Sequence, residues 1–326
     1  MSHKIDTVVI GGSAGSFTAL KSILAGLPED LPAAVIVCQH MSPSHGSTAA
    51  ELLKAHSALP VRIAEDLMAI EPGHVYFAAP DAHLMIGGDH LHLRRGAHEN
   101  NFRPAIDPLF RSAAVYRATR AVGVILSGLM DDGSAGARAM ARTGARIIVQ
   151  SPQTAKFPDM PRAASRAVPH ADEVPLEEIA ARLAGIAGSA CLPPGEIPWD
   201  IGVELKIAGL EGASMASEDR LGSLSPYNCP HCNGVLWEIE DGPMTRFRCH
   251  TGHAYTIETL GVSQEEALDK GLFDSLRAHR GRVALLRRMM KDATGVQNQE
   301  MLAARAQLIE EDAHRLEAII KQRRIG

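Results

Sequence analysis

From about residue 5 to about residue 185, short apolar runs alternate with longer stretches of helical periodicity. That is the rhythm of βα units wound over a parallel sheet. Strands are predicted at Thr7–Gly12 and at residues 33–40, 74–80, 121–128 and 145–150. Four of the five are continuous apolar runs closed by Gly, Pro or charged residues, as strands covered on both faces should be. Residues 83–95, HLMIGGDHLHLRR, read instead as a hairpin whose turn is supplied by Gly87, Gly88 and Asp89. Helices are expected after Gly15, Pro43, Pro104 and Ser134.

Beyond residue 190 the pattern changes. Residues 191–222 carry the breakers Pro193, Pro194, Gly195 and Pro198, and read as a linker that packs partly on the first domain, residues 1–190. A compact segment rich in cysteine and histidine follows over 223–265. In the last segment, 266–326, helix formers at 275–292 and 297–324 flank Gly295, which predicts a helical hairpin. Leu302, Ala306, Ile309, Ala313, Leu316 and Ile320 keep three- and four-residue spacing and so share one face. The expected architecture is α/β: a doubly wound, mainly parallel, Rossmann-like three-layer domain, a small zinc-ribbon-like module and a C-terminal helical hairpin.

Composition narrows this picture without redirecting it. A chain of 326 residues has room for about two domains at roughly 150 residues each. With 45% hydrophobic and 22% charged residues it is neither disordered nor fibrous. No apolar run is long enough to span a bilayer and the N-terminus has no secretion-signal pattern, so a cytoplasmic protein is expected. A net charge of -5 weighs against nucleic acid as a partner. The five cysteines are an odd number, and three of them crowd together late in the chain, which points to metal rather than to disulfides.

The sharpest chemical signal is TVVIGGSAGS, where Gly11, Ser13 and Gly15 form G-x-S-x-G as the first strand gives way to a helix. Such a turn lifts a serine hydroxyl out of the carboxyl edge of the sheet, where open α/β folds bind ligands. The following helix directs its free N–H groups at any negative charge that develops there. A serine needs a base. The second strand ends on His40, and the strand AVGVILSG runs into Asp131 and Asp132, so serine, histidine and an acid fall on one rim. The residues alone leave Asp131 and Asp132 as alternatives. A nucleotide- or anion-binding loop, and a catalytically idle adaptor, are the competing readings of the same turn. Ser13 and Ser16 occupy two glycine positions of the dinucleotide fingerprint, a departure from that pattern.

The segments IGGSAGS, VCQHMSP, PGHVYFAAPDAHLMI, RPAIDPLFRSAA, LSGLMDDGSAGA and FPDMPRAA occur in this order over about residues 5–175. Together they resemble the protein-glutamate methylesterases of bacterial chemotaxis. The resemblance implies a doubly wound sheet and a serine hydrolase that demethylates glutamate methyl esters on chemoreceptors, with glutamine deamidation as a possible second activity. It implies Ser13 as nucleophile, His40 as base and Asp132 as the triad acid, with the N–H groups of Ala14 and Leu129 as oxyanion donors. Arg103 and His83 lie in family-like segments, which implies a place lining the substrate groove, against the alternatives of a surface salt bridge for Arg103 and a hairpin histidine for His83. Three departures stand out. The family's usual N-terminal receiver domain is not expected ahead of a first strand at residue 7, Ser16 stands where glycine is common, and an additional C-terminal region follows.

That region contains NCPHCNG and RFRCHTGHAY, with the spacing C-x2-C-x16-C-x3-H. Two knuckles carried by a hairpin would place Cys229, Cys232, Cys249 and His253 around one tetrahedral zinc, with His250 as the alternative to His253. Four protein ligands make a structural ion rather than a catalytic one. Cys38, in an apolar strand, and Cys191 are expected to be inert. Arg280, Arg282, Arg287 and Arg288, offset by Glu310, Glu311 and Asp312, suggest a mixed surface suited to protein partners or self-association.

Overall fold

The computed structural model describes residues 3–40, 46–209 and 220–323. Pro43, part of the expected linker and Arg324 lie outside the described residues. The chain forms two compact units, Met1–Leu260 and Gly261–Gly326.

The first unit is built on β1 (Thr7–Gly12), β2 (Ala34–Gln39), β3 (Val61–Ile63), β4 (Val75–Phe77), the hairpin β5 (His83–Gly87) and β6 (His90–Arg94), β7 (Ala121–Ile125), β8 (Arg146–Gln150) and β9 (Asp172–Val174). Seven of these strands form one parallel sheet in the order β3-β4-β2-β1-β7-β8-β9. Strand alternation divides the core into two layers. Val8, Ile10, Val35 and Val37 face one side, and Val9, Ile36 and Cys38 face the other. Helices α1 (Ser16–Ala25) and α2 (Gly46–Lys54) cover the first side together with a later helix, Leu176–Ile186. The second side is covered by α3 (Ile106–Tyr116), α4 (Ser134–Arg142) and α5 (Asp159–Ala167). Burial on both faces is why these strands are continuous apolar runs. The short strands β3 and β9 carry too few apolar residues to be legible. The predicted strand 121–128 is regular only to Ile125; Leu126 N–H still donates to the Gly11 carbonyl at 2.9 Å, and Gly128 turns away to donate its N–H to the Phe157 carbonyl at 3.0 Å.

The helix Leu176–Ile186 is α6, and the segment read as an irregular linker carries α7 (Trp199–Ala208), with Ile201, Glu204 and Leu205 buried. Leu205 and Ala208 pack on Met85 of the β5–β6 hairpin. A four-stranded antiparallel sheet follows in the order β10 (Ser223–Asn228), β11 (Val235–Asp241), β12 (Met244–Cys249) and β13 (Ala254–Thr256). Asp241 pairs with Met244 across a two-residue turn, and Gly242 takes the positive φ of 59° that such a turn requires at its first position.

This small sheet joins the parallel-sheet domain through buried ions. Glu204 of α7 accepts both Arg246 Nη atoms at 2.8 Å and Arg248 Nη2 at 2.9 Å. Glu99 is clasped between Arg111 of α3 and Arg248 of β12. Burial alone would raise the Glu204 carboxyl, but Arg246, Arg248 and Arg111 together hold it well below its usual range.

The second unit contains most of α8 (Ile257–Asp292) and all of α9 (Val296–Arg323). The predicted helical face is the sheltered one: Ala306 and Ala313 are buried and Leu302, Ile309, Leu316 and Ile320 are half-buried. No described helix is long and apolar enough to cross a membrane.

Candidate active site

The sheet changes winding direction at β1, whose neighbours are β2 on one side and β7 on the other. The loops leaving the carboxyl ends of those three strands carry Ser13, His40 and Asp132, at the kind of switch point where such sheets form a crevice. Backbone bonds fix the loops to one another. Ser13 N–H donates to the Ser127 carbonyl at 3.0 Å and His40 N–H to the Gly12 carbonyl at 3.1 Å. Gly15, with φ 77°, makes the left-handed turn into α1. At Gly128 a Cβ would stand 2.9 Å from the Ser13 Cβ, so only glycine lets the two loops approach this closely.

The three side chains meet. His40 Nδ1 lies 3.1 Å from Ser13 Oγ, and His40 Nε2 lies 2.7 Å from Asp132 Oδ2. With an acceptor-only carboxylate on Nε2, that nitrogen carries the proton and Nδ1 presents its lone pair to the hydroxyl. The use of the two ring nitrogens is the reverse of that in the trypsin-like triad. The Phe102 ring stacks on the imidazole with centroids 3.7 Å apart and planes at 15°, which fixes the plane in which it can act.

Asp132 is buried and richly solvated by donors. Ile106 N–H, at the start of α3, reaches Oδ2 at 2.7 Å, while Asn100 Nδ2 and Gly133 N–H reach Oδ1 at 2.9 Å. Burial would raise its pKa, but His40, Ile106 and Asn100 outweigh that and hold it low. Asp107 behaves oppositely: burial first, then the Asp132 charge, pushes its pKa up. Asp131, the other acid of the pair, turns away and accepts from Thr256 Oγ1 at 2.9 Å, and burial pushes it up to about 7.

Gln39, Asn100 and Phe102 support the site though the sequence does not single them out, whereas it does single out Ser16, His83 and Arg103. Gln39 Nε2 donates to the Ser13 carbonyl at 2.8 Å, and Ser16 Oγ sits on the same carbonyl at 2.6 Å and against Gln39 Oε1. The serine at position 16 therefore braces the nucleophile loop. Asn100 and Phe102 belong to a loop whose Asn100-Asn101 pair, both at positive φ, could have been read as a turn but not as a brace. His83 is buried, donating from Nε2 to the Ala97 carbonyl at 2.9 Å and accepting Ala105 N–H at Nδ1, and burial lowers its pKa. Of its two readings, lining a groove or bracing the hairpin, these bonds favour the structural one. Arg103 is held by Asp81, with Nε 2.9 Å from Oδ1. Ala14 and Leu129 directly follow Ser13 and Gly128 on the two close loops, and the Leu129 side chain is exposed.

In the small antiparallel sheet, the ligand atoms of Cys229, Cys232, Cys249 and His253 all lie within 4.8 Å of one another. Two sulfurs each about 2.3 Å from a tetrahedral ion would be about 3.8 Å apart. Cys232 Sγ and Cys249 Sγ stand 3.7 Å apart, and His253 Nδ1 is 3.5 Å from Cys249 Sγ. The set therefore fits a metal ion. Tyr255 OH at 3.3 Å and Thr251 Oγ1 at 3.5 Å add hydroxyl contacts to the Cys229 and Cys232 sulfurs, the outer support that metal thiolates commonly receive. His250 is exposed and packs its edge on Trp237, outside the cluster. Burial raises the Cys38 thiol well above its usual range, so it is unreactive.

A family model described as CheB methylesterase matches residues 8–183. The chain is 40% identical over 187 residues to a protein-glutamate methylesterase/protein-glutamine glutaminase of Xanthomonas campestris pv. campestris, covering 56% of this chain and 52% of that one. It is 36% identical over 190 residues to another of that description from Caulobacter vibrioides, covering 57% and 55%. The chain thus spans about half the length of the curated relatives it matches. The crystal structure of the Thermotoga maritima CheB methylesterase catalytic domain matches with a TM-score of 0.54 and 33% identity, over 56% of this chain and 98% of that one. By its parallel-sheet domain, this chain belongs to the CheB methylesterase family.

Proposed function

We propose that the protein is a serine esterase that hydrolyses glutamate methyl esters on chemoreceptors or related signalling proteins, with Ser13, His40 and Asp132 as its triad. The observation that carries this reading is one imidazole bridging a hydroxyl at 3.1 Å and a buried carboxylate at 2.7 Å, in the crevice at the switch point. His40 Nδ1 takes the Ser13 proton as Oγ attacks the ester carbonyl. Asp132 holds the imidazole by Nε2–H and stabilises the imidazolium. The backbone N–H groups of Ala14 and Leu129 receive the oxyanion, each worth roughly 3–4 kcal/mol by analogy with other hydrolases. Methanol leaves with the proton from Nδ1. Water, deprotonated by the same nitrogen, then attacks the acyl-serine and releases a free carboxylate and Ser13. The same sequence on a glutamine side chain would release ammonia, and the names of the relatives support that second activity.

The Cys229, Cys232, Cys249 and His253 set is proposed to hold a structural zinc. The ion would fold the small sheet around itself; all four of its positions are filled by protein and none faces the ester. The helical hairpin, with Leu285, Met289, Met301 and Leu308 exposed, is proposed as a self-association element of a cytoplasmic enzyme that neither binds nucleic acid nor inserts into a membrane.

Methanol release from a methylated receptor is the test. Ser13→Ala should lower kcat by at least about 10^4-fold and abolish labelling by a serine-directed fluorophosphonate. Near-normal turnover in that variant would remove the proposal.

A further inference from the structure

A side-chain amide, that of Asn100, links the triad acid to the strand that follows the last candidate metal ligand. His253, the last ligand, is followed immediately by β13. There the Ala254 carbonyl accepts Asn100 N–H at 2.8 Å. The Asn100 side chain is buried and fully used. Its Oδ1 accepts Thr256 N–H at 3.3 Å and Thr259 Oγ1 at 3.2 Å. Its Nδ2 donates to Asp132 Oδ1 and to Asp107 Oδ2, both at 2.9 Å. An amide has two donor hydrogens and an oxygen with two lone pairs, and here every one is engaged.

The direction of this bridge is dictated by chemistry. The ionised Asp132 can only accept, so the side of the amide that faces it must carry the donor, and Oδ1 is left for Thr259 Oγ1 and for Thr256 N–H, which it shares with Thr259 Oγ1 at 2.8 Å. The NH2 group must then face the two carboxylates. Turned over, the amide would set its oxygen against Asp132 and lose the donor that the buried charge needs. Two further ties hold the same loop. Thr256 Oγ1 binds Asp131, the neighbour of the triad acid, at 2.9 Å. Arg248, which clasps Glu99, also donates from Nη1 to the Gly252 carbonyl, inside the second metal knuckle, at 3.0 Å.

We infer that the metal-binding sheet is a working part of the esterase: Asn100 is a positioning residue for Asp132, and β13, held by the metal, positions Asn100. Metal occupancy therefore sets turnover without the metal touching substrate. The inference rests on the triad reading above, and it adds a control point that the parallel-sheet domain does not contain.

The full chain loaded with Zn²⁺, stripped by a chelator and reloaded provides the experiment, read as kcat and KM for methanol release, the pH profile, and zinc content. Stripping should lower kcat by at least about tenfold, the scale on which outer-shell supports act, with KM within about twofold. It should also move the acid limb of the pH profile upward, because a less-solvated Asp132 is more basic and favours the protonated imidazole. Zn²⁺ should restore both, and so should Co²⁺, which a metal remote from the ester allows. Asn100→Ala should show the same loss and the same pH shift with zinc bound at full stoichiometry, and stripping should then add little. Unchanged kcat and pH profile in both stripped protein and Asn100→Ala would overturn the inference. If the stripped protein unfolds, Asn100→Ala decides alone, since it leaves every ligand in place. Loss of methanol release in Ser13→Ala alongside normal Asn100→Ala turnover sinks the coupling and spares the triad; full activity in Ser13→Ala sinks the triad itself.

Discussion

The parallel-sheet domain and the metal-binding sheet sit in one compact unit, yet they are held together by different physics. The first has two thick apolar layers, with Val9, Ile36, Leu109 and Phe110 on one side of the sheet and Ile10, Leu20, Ile23 and Val37 on the other, all fully buried. The second has a core of Cys229, Leu236, Phe247, Cys249, Tyr255 and Leu260, of which two belong to the set placed to hold a metal ion. Its attachment to the domain runs through Arg246 and Arg248 against Glu204 and Glu99, all buried. Burial of hydrocarbon suffices for the first, since each fully buried large side chain contributes roughly 1.5–3 kcal/mol. So few apolar residues bury little hydrocarbon, and on the zinc proposal the second relies on coordination and ion pairing instead.

The sharpest way to break this contrast is at a ligand. Cys249→Ser should abolish stoichiometric zinc binding, a loss on the scale of the roughly 10–16 kcal/mol typical of structural zinc. It should open residues 223–256 to protease while the parallel-sheet domain survives as a resistant fragment. Resistance equal to wild type would mean that the small sheet has sufficient core of its own. Next in size is the ionic seam. Arg248→Met takes one partner from each of Glu99 and Glu204 but leaves Arg111 and Arg246 in place. The loss should therefore reach at most the lower end of the cost of an orphaned buried charge, about 3–5 kcal/mol, read by thermal or denaturant unfolding.

A smaller effect separates the two acids of the rim. Asp131 has an ordinary value of 3.8 and is pushed up to about 7 in the fold. The folded state therefore binds the proton more tightly, and stability is lost as pH rises through that window. Asp131→Asn removes the dependence. Its stability relative to wild type should improve by about 2–3 kcal/mol between about pH 5 and about pH 8, measured as paired unfolding curves. A flat difference would show that Asp131 is ionised throughout. The smallest effect belongs to the second unit. Arg315 and Asp312 pair at 3.2 Å with both side chains largely exposed. Arg315→Ala should change stability by no more than about 0.5 kcal/mol, within the scatter of melting experiments.

The sequence alone was informative wherever a pattern reports its own surroundings. Strands buried on both faces read as apolar runs, so β1, β2, β7 and β8 are legible to within a few residues. The G-x-S-x-G turn and the cysteine spacing are local constraints on backbone and ligand geometry, and both were visible. Helix α7 was missed because prolines precede it and because its buried Glu204 looks like a surface residue until three arginines arrive from elsewhere.

What the tertiary structure decided were relations between distant segments. Asp131 and Asp132 are adjacent and chemically identical, and only the packing of α3's N-terminus and His40 against one of them tells them apart. His253 and His250 were separated in the same way, by which of them the returning strand turns toward the sulfurs. Asn100 lies 156 residues from Thr256, and no periodicity links them. Local pattern records whether a residue is buried, since burial selects for hydrocarbon. It does not record what a buried polar group faces, because that partner is supplied by another part of the chain once the layers have closed.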